Sequence, residues 1–271
     1  MKRSWYASPY ALWMVLFTAV PLLFVCYYAF TDASGAFTVG NFTKIAQPMY
    51  LLVLWDSVRL AFLCTVLCLL IGYPTAYFLS GRDLNHAQSL VVLILVPMWM
   101  NFLLRTYAMM TLFEDNGVIN SLLEAVGLPR LHMIGTEGAV LTGMVYNFLP
   151  FMVLPIYTVL KKMDYSIIEA AEDLGCSPLR VVTRVVLPMS VPGVVSGVTM
   201  VFMPAVTTFA ISRLLSSGMI YLVGDMIEDY FISMNNRNVG SSISLVMLVL
   251  IILSIGLLRK VDPDNSGGGL W

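Results

Sequence analysis

The chain has 271 residues, of which 59% are hydrophobic and only 11% are charged, and its net charge at pH 7 is −1. Soluble domains carry about 25% charged residues, so this chain cannot cover a globular core with a polar coat. The composition therefore excludes a soluble enzyme, a nucleic-acid-binding protein and a disordered scaffold, and it indicates an integral membrane protein.

Six stretches without Asp, Glu, Lys or Arg have about the 20 residues that a helix needs to cross the hydrocarbon core. In chain order they are Leu12–Phe30, Leu60–Gly81, Ala87–Leu104, Gly138–Leu160, Val185–Ser212 and Asn238–Leu258. We expect the third span to continue past Arg105 to Phe113. The first holds Pro21 and lacks a small-x-small exit site, so we interpret it as a retained span and not as a cleaved signal peptide.

An even number of spans places both termini on one side of the membrane. Basic residues concentrate on that side, which the positive-inside rule assigns to the cytoplasm. The inner segments hold Lys2, Arg3, Arg82, Lys161, Lys162, Arg180, Arg184, Arg259 and Lys260, whereas the outer segments hold Lys44, Arg130, Arg213 and Arg237. We expect an N-terminal part at 1–53 (cytoplasmic tail, first span and outer loop), a five-span core at 54–260 and a cytoplasmic tail at 261–271.

The outer segments are rich in acidic residues, which would raise the local concentration of a cation. These residues are Asp32, Asp56, Glu114, Asp115, Glu124, Glu137, Asp225, Glu228 and Asp229. Acidic residues also collect wherever Lys and Arg are excluded, so the sequence leaves both interpretations open.

The long inner loop Lys161–Arg184 has its own pattern. Residues 164–174 predict a short amphipathic helix, which Gly175 would end as a C-cap glycine. Ser177 and Pro178 then fit the N-cap and first position of a second short helix that leads into the fifth span. The apolar stripe of the first helix consists of Ile167, Ile168, Ala171 and Leu174. This pattern predicts a docking element for a cytoplasmic partner or, equally, an ordinary amphipathic loop.

The same loop carries a motif with fixed spacing. Glu169-Ala170-Ala171, then Gly175, then Val185-x-Leu187-Pro188 resembles the EAA motif of ABC-importer permeases, with Val185 at a position usually held by isoleucine. In that family the loop forms coupling helices that sit in a cleft of a cytoplasmic ATPase. The resemblance implies that Glu169 contacts the ATPase, that Ala170 and Ala171 pack in its groove and that Gly175 makes the turn. It assigns Ser177, Pro178, Leu187 and Pro188 to the same coupling region.

Four further segments are similar to the membrane permeases of spermidine/putrescine importers, in the order of the PotB-type subunit. They are Pro97–Ala108, Asn116–Asn120, Leu149–Tyr157 and Gly224–Glu228. The resemblance implies an all-α type I ABC importer (MetI-like) permease fold of six transmembrane helices in a bacterial inner membrane. It also implies a PotC-like second permease subunit, PotA-like ATPase subunits that hold ATP and Mg, and a PotD-like periplasmic polyamine-binding protein.

The sequence lacks the motifs of a catalytic chain. It has no Gly-x4-Gly-Lys-Ser/Thr loop to hold ATP phosphates, and His86 and His132 have no metal-ligand spacing. We therefore expect no enzyme activity, no metal site and no cofactor in this chain, and we expect the lipid bilayer and not a nucleic acid among its partners.

A polyamine pathway needs acids or aromatic faces that replace water around ammonium groups. Asp225, Glu228 and Asp229 would share one face if their outer segment is helical, and Glu114 and Asp115 close the third span. The aromatic candidates Trp99, Tyr107, Tyr146 and Phe148 could equally be ordinary interfacial side chains. Arg105, within a span, is expected to snorkel outward or to pair with Glu114 or Asp115.

Two alternatives remain open. One is a permease of the same architecture for another small solute, such as an opine, an amine or an anion, which the coupling motif fits equally well. The other is an ion-driven transporter or channel, which would favour inverted repeats or acids buried in mid-span.

Overall fold

The computed structural model describes residues 8–81 and 87–259. The predicted tail at 261–271, together with Lys2, Arg3, Arg82, His86 and Lys260, lies outside the described residues. Within them the chain is all-helical, apart from turns and one isolated antiparallel bridge between Thr31 and Phe37.

The α-helices are named here in chain order. They are α1 (Ser8–Met14), α2 (Val20–Ala29), α3 (Gly40–Ile45), α4 (Pro48–Ser80), α5 (Ala87–Leu95), α6 (Phe102–Phe113), α7 (Val118–Ala125), α8 (Glu137–Lys162), α9 (Tyr165–Asp173), α10 (Pro178–Val181), α11 (Leu187–Val206), α12 (Ala210–Ser216), α13 (Val223–Glu228) and α14 (Arg237–Arg259). Short π-helical turns follow α1, α10 and α13, and one 3₁₀ turn follows α5.

Five helical stretches of the described chain are long and apolar enough to cross a membrane, and a bent helix pair makes a sixth. The five are Leu12–Ala29, Pro48–Ser80, Glu137–Lys162, Pro178–Val206 and Arg237–Gly256. The prediction of an all-α protein is confirmed; five of the six predicted spans are single helical stretches of spanning length, and the bent pair stands at the place of the remaining, third span.

The third predicted span consists of two helices and not of one, so the prediction of a single continuous span is wrong. Ser89–Trp99 and Phe102–Ala125 meet at an angle of 93°. Pro97 lies in the 3₁₀ turn Val96–Trp99, where it cannot supply a backbone donor. After the turn, the Asn101 side chain accepts from the backbone N–H of Leu103 at 2.8 Å and starts a new helix.

The fifth predicted span was placed too far along the chain, because charge alone cannot mark its ends. Its helix begins at Pro178, inside the predicted loop, and ends at Val206. A Cβ on Gly224 would lie 2.4 Å from the Thr208 carbonyl oxygen, so the returning chain comes very close at this break. The second span also begins earlier than predicted, at Pro48, because Asp56 and Arg59 are accommodated within the helix.

The core is formed by α4, α8 and α11, which pack against one another along their lengths. Met144, Met152 and Ile156 of α8 are fully buried between its neighbours. Gly193 and Gly197 of α11 allow the close approach, since a Cβ on Gly193 would lie 3.0 Å from the Ile156 Cα. On the periphery, α2 packs against α14.

Candidate functional site

The first candidate region is the inner loop between α8 and α11. It contains α9, whose first turn is capped because the Asp164 carboxylate accepts from the backbone N–H of Ser166 at 3.0 Å. This hydrogen bond, the largest influence on the group, lowers the pKa of Asp164. The predicted helix is thus confirmed as a capped helix ending at Asp173.

The turn after α9 is a Schellman motif. The Cys176 N–H donates to the Ala171 carbonyl at 3.1 Å, and the Gly175 N–H donates to the Glu172 carbonyl at 2.8 Å. Gly175 has φ of +79°, a backbone conformation that side chains other than glycine adopt only with strain. The turn that the motif assigned to Gly175 is therefore present.

The segment after this turn continues without a break into the helix of the fifth span. Ser177 precedes α10, Pro178 occupies its first turn, and the chain runs through a π-helical turn (Val182–Val186) directly into α11. Leu187 and Pro188 begin α11 on its exposed side. Because the helix is continuous from Pro178 to Val206, a displacement of the loop would be passed to the membrane-spanning part.

The loop presents apolar side chains that nothing in the described chain covers. Leu174 is 86% exposed and Leu179 is 74% exposed, next to the exposed Glu169 and Ala170. Ile168 and Ala171 instead pack against the core. The predicted four-residue stripe is thus split, because Ile167 and Leu174 point away from the protein.

A cleft separates this loop from the ends of the spans above it. Its volume is about 390 Å³, and its lining includes Tyr77 of α4, Leu160 of α8, Ile168 and Glu172 of α9 and Val186 at the start of the fifth span. The loop therefore touches the core through Ile168 and Ala171 but leaves an open cleft beside these contacts.

The second candidate region is the predicted outer segment around α12 and α13, where two of the three predicted acids contact one arginine and the third lies close by. The Arg213 guanidinium contacts Glu228 Oε2 through Nη1 and Asp229 Oδ1 through Nη2, both at 2.9 Å. All four side chains of this cluster, including Asp225, come from α12, α13 and the π-helical turn that follows. The helical segment predicted for the acids is confirmed.

Asp225 is the buried member of this cluster, with 2% of its surface exposed. Its Oδ2 accepts from the Ser212 hydroxyl at 2.7 Å and from the Leu222 N–H at 2.9 Å, which ties α12 to the start of α13. Its Oδ1 has no hydrogen-bond partner among the described residues. Burial raises the pKa of Asp225 above its ordinary value of 3.8, against the opposing effect of these hydrogen bonds and of Arg213.

Tyrosines lie on or next to this segment. The Tyr221 hydroxyl donates to Asp229 Oδ2 at 2.9 Å. Tyr230, in the π-helical turn, shares a short hydrogen bond with Tyr50 of α4, and their rings stack 6.4 Å apart. Burial raises the pKa of Tyr230 to about 12, so its hydroxyl stays protonated. Sequence reasoning missed Arg213 and these tyrosines, because their partners lie on separate helices.

The remaining pathway candidates are not gathered into one site. Glu114 ends α6 at the surface, and Asp115 contacts His132 Nδ1 at 2.9 Å. Trp99 is 82% exposed at the break in the third span. Tyr107 and Tyr146 are also exposed, whereas Phe148 is buried in the core.

Arg105 does not behave as predicted. It neither reaches the surface nor pairs with Glu114 or Asp115, since only 7% of the residue is exposed and its Nε and Nη1 have no partner in the described chain. Asp115 instead contacts His132 Nδ1 at 2.9 Å.

Comparison with known proteins places these features in a family. The family model described as "Binding-protein-dependent transport system inner membrane component" matches residues 2–266. The spermidine/putrescine transport system permease protein PotB of Haemophilus influenzae is 34% identical, covering 90% of this chain and 88% of that one. PotB of Escherichia coli is 32% identical, covering 90% and 91%.

The fold also has solved counterparts. A bacterial alginate ABC transporter, crystallised with an alginate pentasaccharide-bound periplasmic protein, matches with a TM-score of 0.81 at 13% identity, over 98% of this chain and 96% of that one. The MetNI methionine ABC transporter matches with a TM-score of 0.60 at 18% identity, over 79% and 96%. The predicted type I importer fold is confirmed.

Proposed function

Because the chain belongs to the family of binding-protein-dependent transport system inner membrane components, we propose that it is a permease subunit of an ATP-driven polyamine importer. The observation that carries the substrate assignment is the similarity to the PotB permeases over 90% of the chain. Its cargo would be spermidine or putrescine, and the chain would form half of the translocation pathway.

The inner loop would couple this chain to a separate ATPase subunit, PotA-like, in which ATP and Mg are bound and hydrolysed. Support comes from the exposed Leu174 and Leu179, from the turn at Gly175 and from the continuous helix that begins at Pro178. The chain itself would perform no hydrolysis. Binding of ATP can drive transport only if it favours one conformation of the complex over another. The cleft behind the loop leaves space for the movement that this requires.

The other partners follow from the same proposal. A PotC-like second permease subunit would complete the pathway, since the core of this chain is formed by only three tightly packed spans. A PotD-like periplasmic binding protein would deliver the polyamine to the outer face, as a periplasmic protein is bound to the alginate transporter of the same fold. Both termini would lie in the cytoplasm, which places the inner loop on the side of the ATPase.

The outer cluster supports a cationic cargo over an anionic one. The cluster holds three carboxyl groups and one guanidinium, which contacts two of them, so it keeps an excess of negative charge when the acids are ionised. We propose Asp225, Glu228 and Asp229 as pathway residues on this ground, with Trp99, Tyr107 and Tyr146 as exposed aromatic candidates. An opine or another amine would fit the coupling loop equally well.

Competition in uptake tests the substrate assignment. Cells that lack the gene would receive it back on a plasmid, and uptake of labelled spermidine and putrescine would be measured with an excess of unlabelled opine or anion. The proposal expects restored uptake that only polyamines inhibit. Uptake that does not depend on the gene would contradict the polyamine assignment, and inhibition by an opine would favour the alternative solute.

A further inference from the structure

We propose that the Arg213 guanidinium is a built-in competitor for the ammonium groups of the substrate, which bind beside Asp225 when Arg213 releases Glu228 and Asp229. This inference rests on the proposed function, since it concerns how a polyamine enters the outer cluster. It assigns to Arg213 a role that neither the sequence motif nor the comparisons give it.

The contacts of Arg213 allow its guanidinium to be exchanged for ammonium groups of the substrate. A guanidinium and an alkyl ammonium are both cations at neutral pH that donate N–H groups to carboxylates. Arg213 uses its two terminal nitrogens on two different acids, at 2.9 Å each. Its side chain is about half exposed, so it can rotate into water without leaving a charge buried. The two acids would then be free for ammonium groups.

Asp225 provides the independent sign that a cation belongs here. Its carboxylate is almost fully buried, yet Oδ1 has no hydrogen-bond partner among the described residues. Its other oxygen is hydrogen-bonded to Ser212, the neighbour of Arg213, and Glu228 and Asp229 follow Asp225 by one helical turn, so this carboxylate lies beside the cluster. A buried carboxylate oxygen without a donor is costly, and an N–H donor from an ammonium group would satisfy it.

The ligand class follows from the charges. One arginine balances one of the three acids, so a ligand that replaces it and carries two or more ammonium groups balances the cluster better than a monoamine. Tyr221, whose hydroxyl donates to Asp229, offers aromatic surface to the alkyl chain between those groups. The expected ligand is therefore a linear polyamine.

Equilibrium binding of radiolabelled spermidine tests the inference. The complete complex, with its partner permease and ATPase, would be placed in lipid nanodiscs without the binding protein. Arg213→Gln should tighten the Kd about fivefold, the size of effect expected for removing a competing cation from partly exposed ion pairs. Asp225→Asn should weaken it. Arg130→Gln is the matched control, because Arg130 is an exposed outer arginine that pairs with Glu124 at 2.9 Å outside the cluster, and it should leave the Kd unchanged.

Arg213→Lys is a second variant, which keeps the positive charge and so controls for a folding defect in Arg213→Gln. A single ammonium cannot contact both acids as the guanidinium does, so the Kd should tighten by about twofold. Weaker or unchanged binding in both Arg213 variants would overturn the inference. The inference would also fail if the wild-type complex in nanodiscs bound no spermidine. If spermidine uptake by cells still depended on the gene, the proposed function would stand despite that failure. Uptake independent of the gene would overturn both.

Discussion

The backbone N–H of Cys176 donates to the carbonyl oxygen of Ala171 at 3.1 Å and closes the turn around Gly175. The same arrangement recurs after α7, where the Leu128 N–H donates to the Leu123 carbonyl at 2.8 Å around Gly127. Both glycines have φ of +79°, and a Cβ on either would meet no atom within 4 Å. The molecule therefore carries two equivalent turns, only one of which lies in the proposed coupling loop.

Replacing Gly175 by valine should uncouple ATP hydrolysis from transport. The β-branched side chain would have space, but the left-handed backbone would cost about 1–2 kcal/mol, so the turn would open to another conformation. ATP hydrolysis by the purified complex should continue while spermidine uptake falls at least several-fold. Membrane insertion, measured by the amount of chain in the membrane fraction, should not change.

Gly127→Val is the matched control for this variant, since it strains an identical turn on the predicted outer side. Its uptake should match that of the wild type. Gly175→Asn should retain most of the activity, because asparagine adopts the left-handed conformation more readily than valine. Normal uptake by the Gly175→Val complex would show that the turn does not transmit motion.

An acidic residue at Leu174 should weaken attachment of the ATPase subunit. Leu174 is among the most exposed apolar side chains of the described chain, and covering it by a partner would contribute about 1.5–3 kcal/mol. Leu174→Asp should reduce the ATPase that is copurified with this chain by about tenfold. Val126→Asp, at a similarly exposed outer position, should leave copurification intact. Equal loss in both variants would indicate misfolding, whereas no loss in either would remove Leu174 from the interface.

Asp225→Asn should stabilise the folded complex at neutral pH. The raised pKa of Asp225 means that the folded chain holds this proton more tightly than the unfolded chain, whose value is near 3.8. The wild type therefore loses stability as the pH rises above about 4 and through the folded pKa, and the amide variant does not. Its apparent melting temperature should exceed that of the wild type at pH 7, and the difference should shrink toward pH 4. A difference in melting temperature that stays the same from pH 4 to pH 7 would show that the ionisation of Asp225 is not its cause.

The packing of α11 on α8 should not tolerate a side chain at Gly193. A Cβ there would lie 3.0 Å from both the Ile156 Cα and the Pro155 carbonyl oxygen, which are backbone atoms that cannot turn aside. Gly193→Val should cost about 1–3 kcal/mol and lower the apparent melting temperature of the complex. Gly256→Val in α14 is the control, because nothing lies within 4 Å of its Cβ position. A similar melting temperature for both variants would show that the helices can move apart at little cost.

The sequence predicted the features that depend on local patterns. Long apolar runs marked the spans, and the glycine after residues 164–174 marked the turn at Gly175, because hydropathy and backbone conformation are properties of short segments. It could not predict features that join distant segments. The bend at Asn101 lies within a charge-free run, and the partners of Arg213 and Asp115 are set by packing between helices. The burial of Arg105, whose Nε and Nη1 have no partner among the described residues, likewise has no signal in the residues beside it.

Transport in a purified system tests the central claim most directly. The complete complex would be reconstituted in liposomes with its periplasmic binding protein, and accumulation of labelled spermidine would be followed with and without ATP on the side of the ATPase. The account predicts accumulation that requires ATP and is lost in the Gly175→Val complex while Gly127→Val remains active. Spermidine movement without ATP, or none in the intact complex, would contradict an ATP-driven polyamine permease.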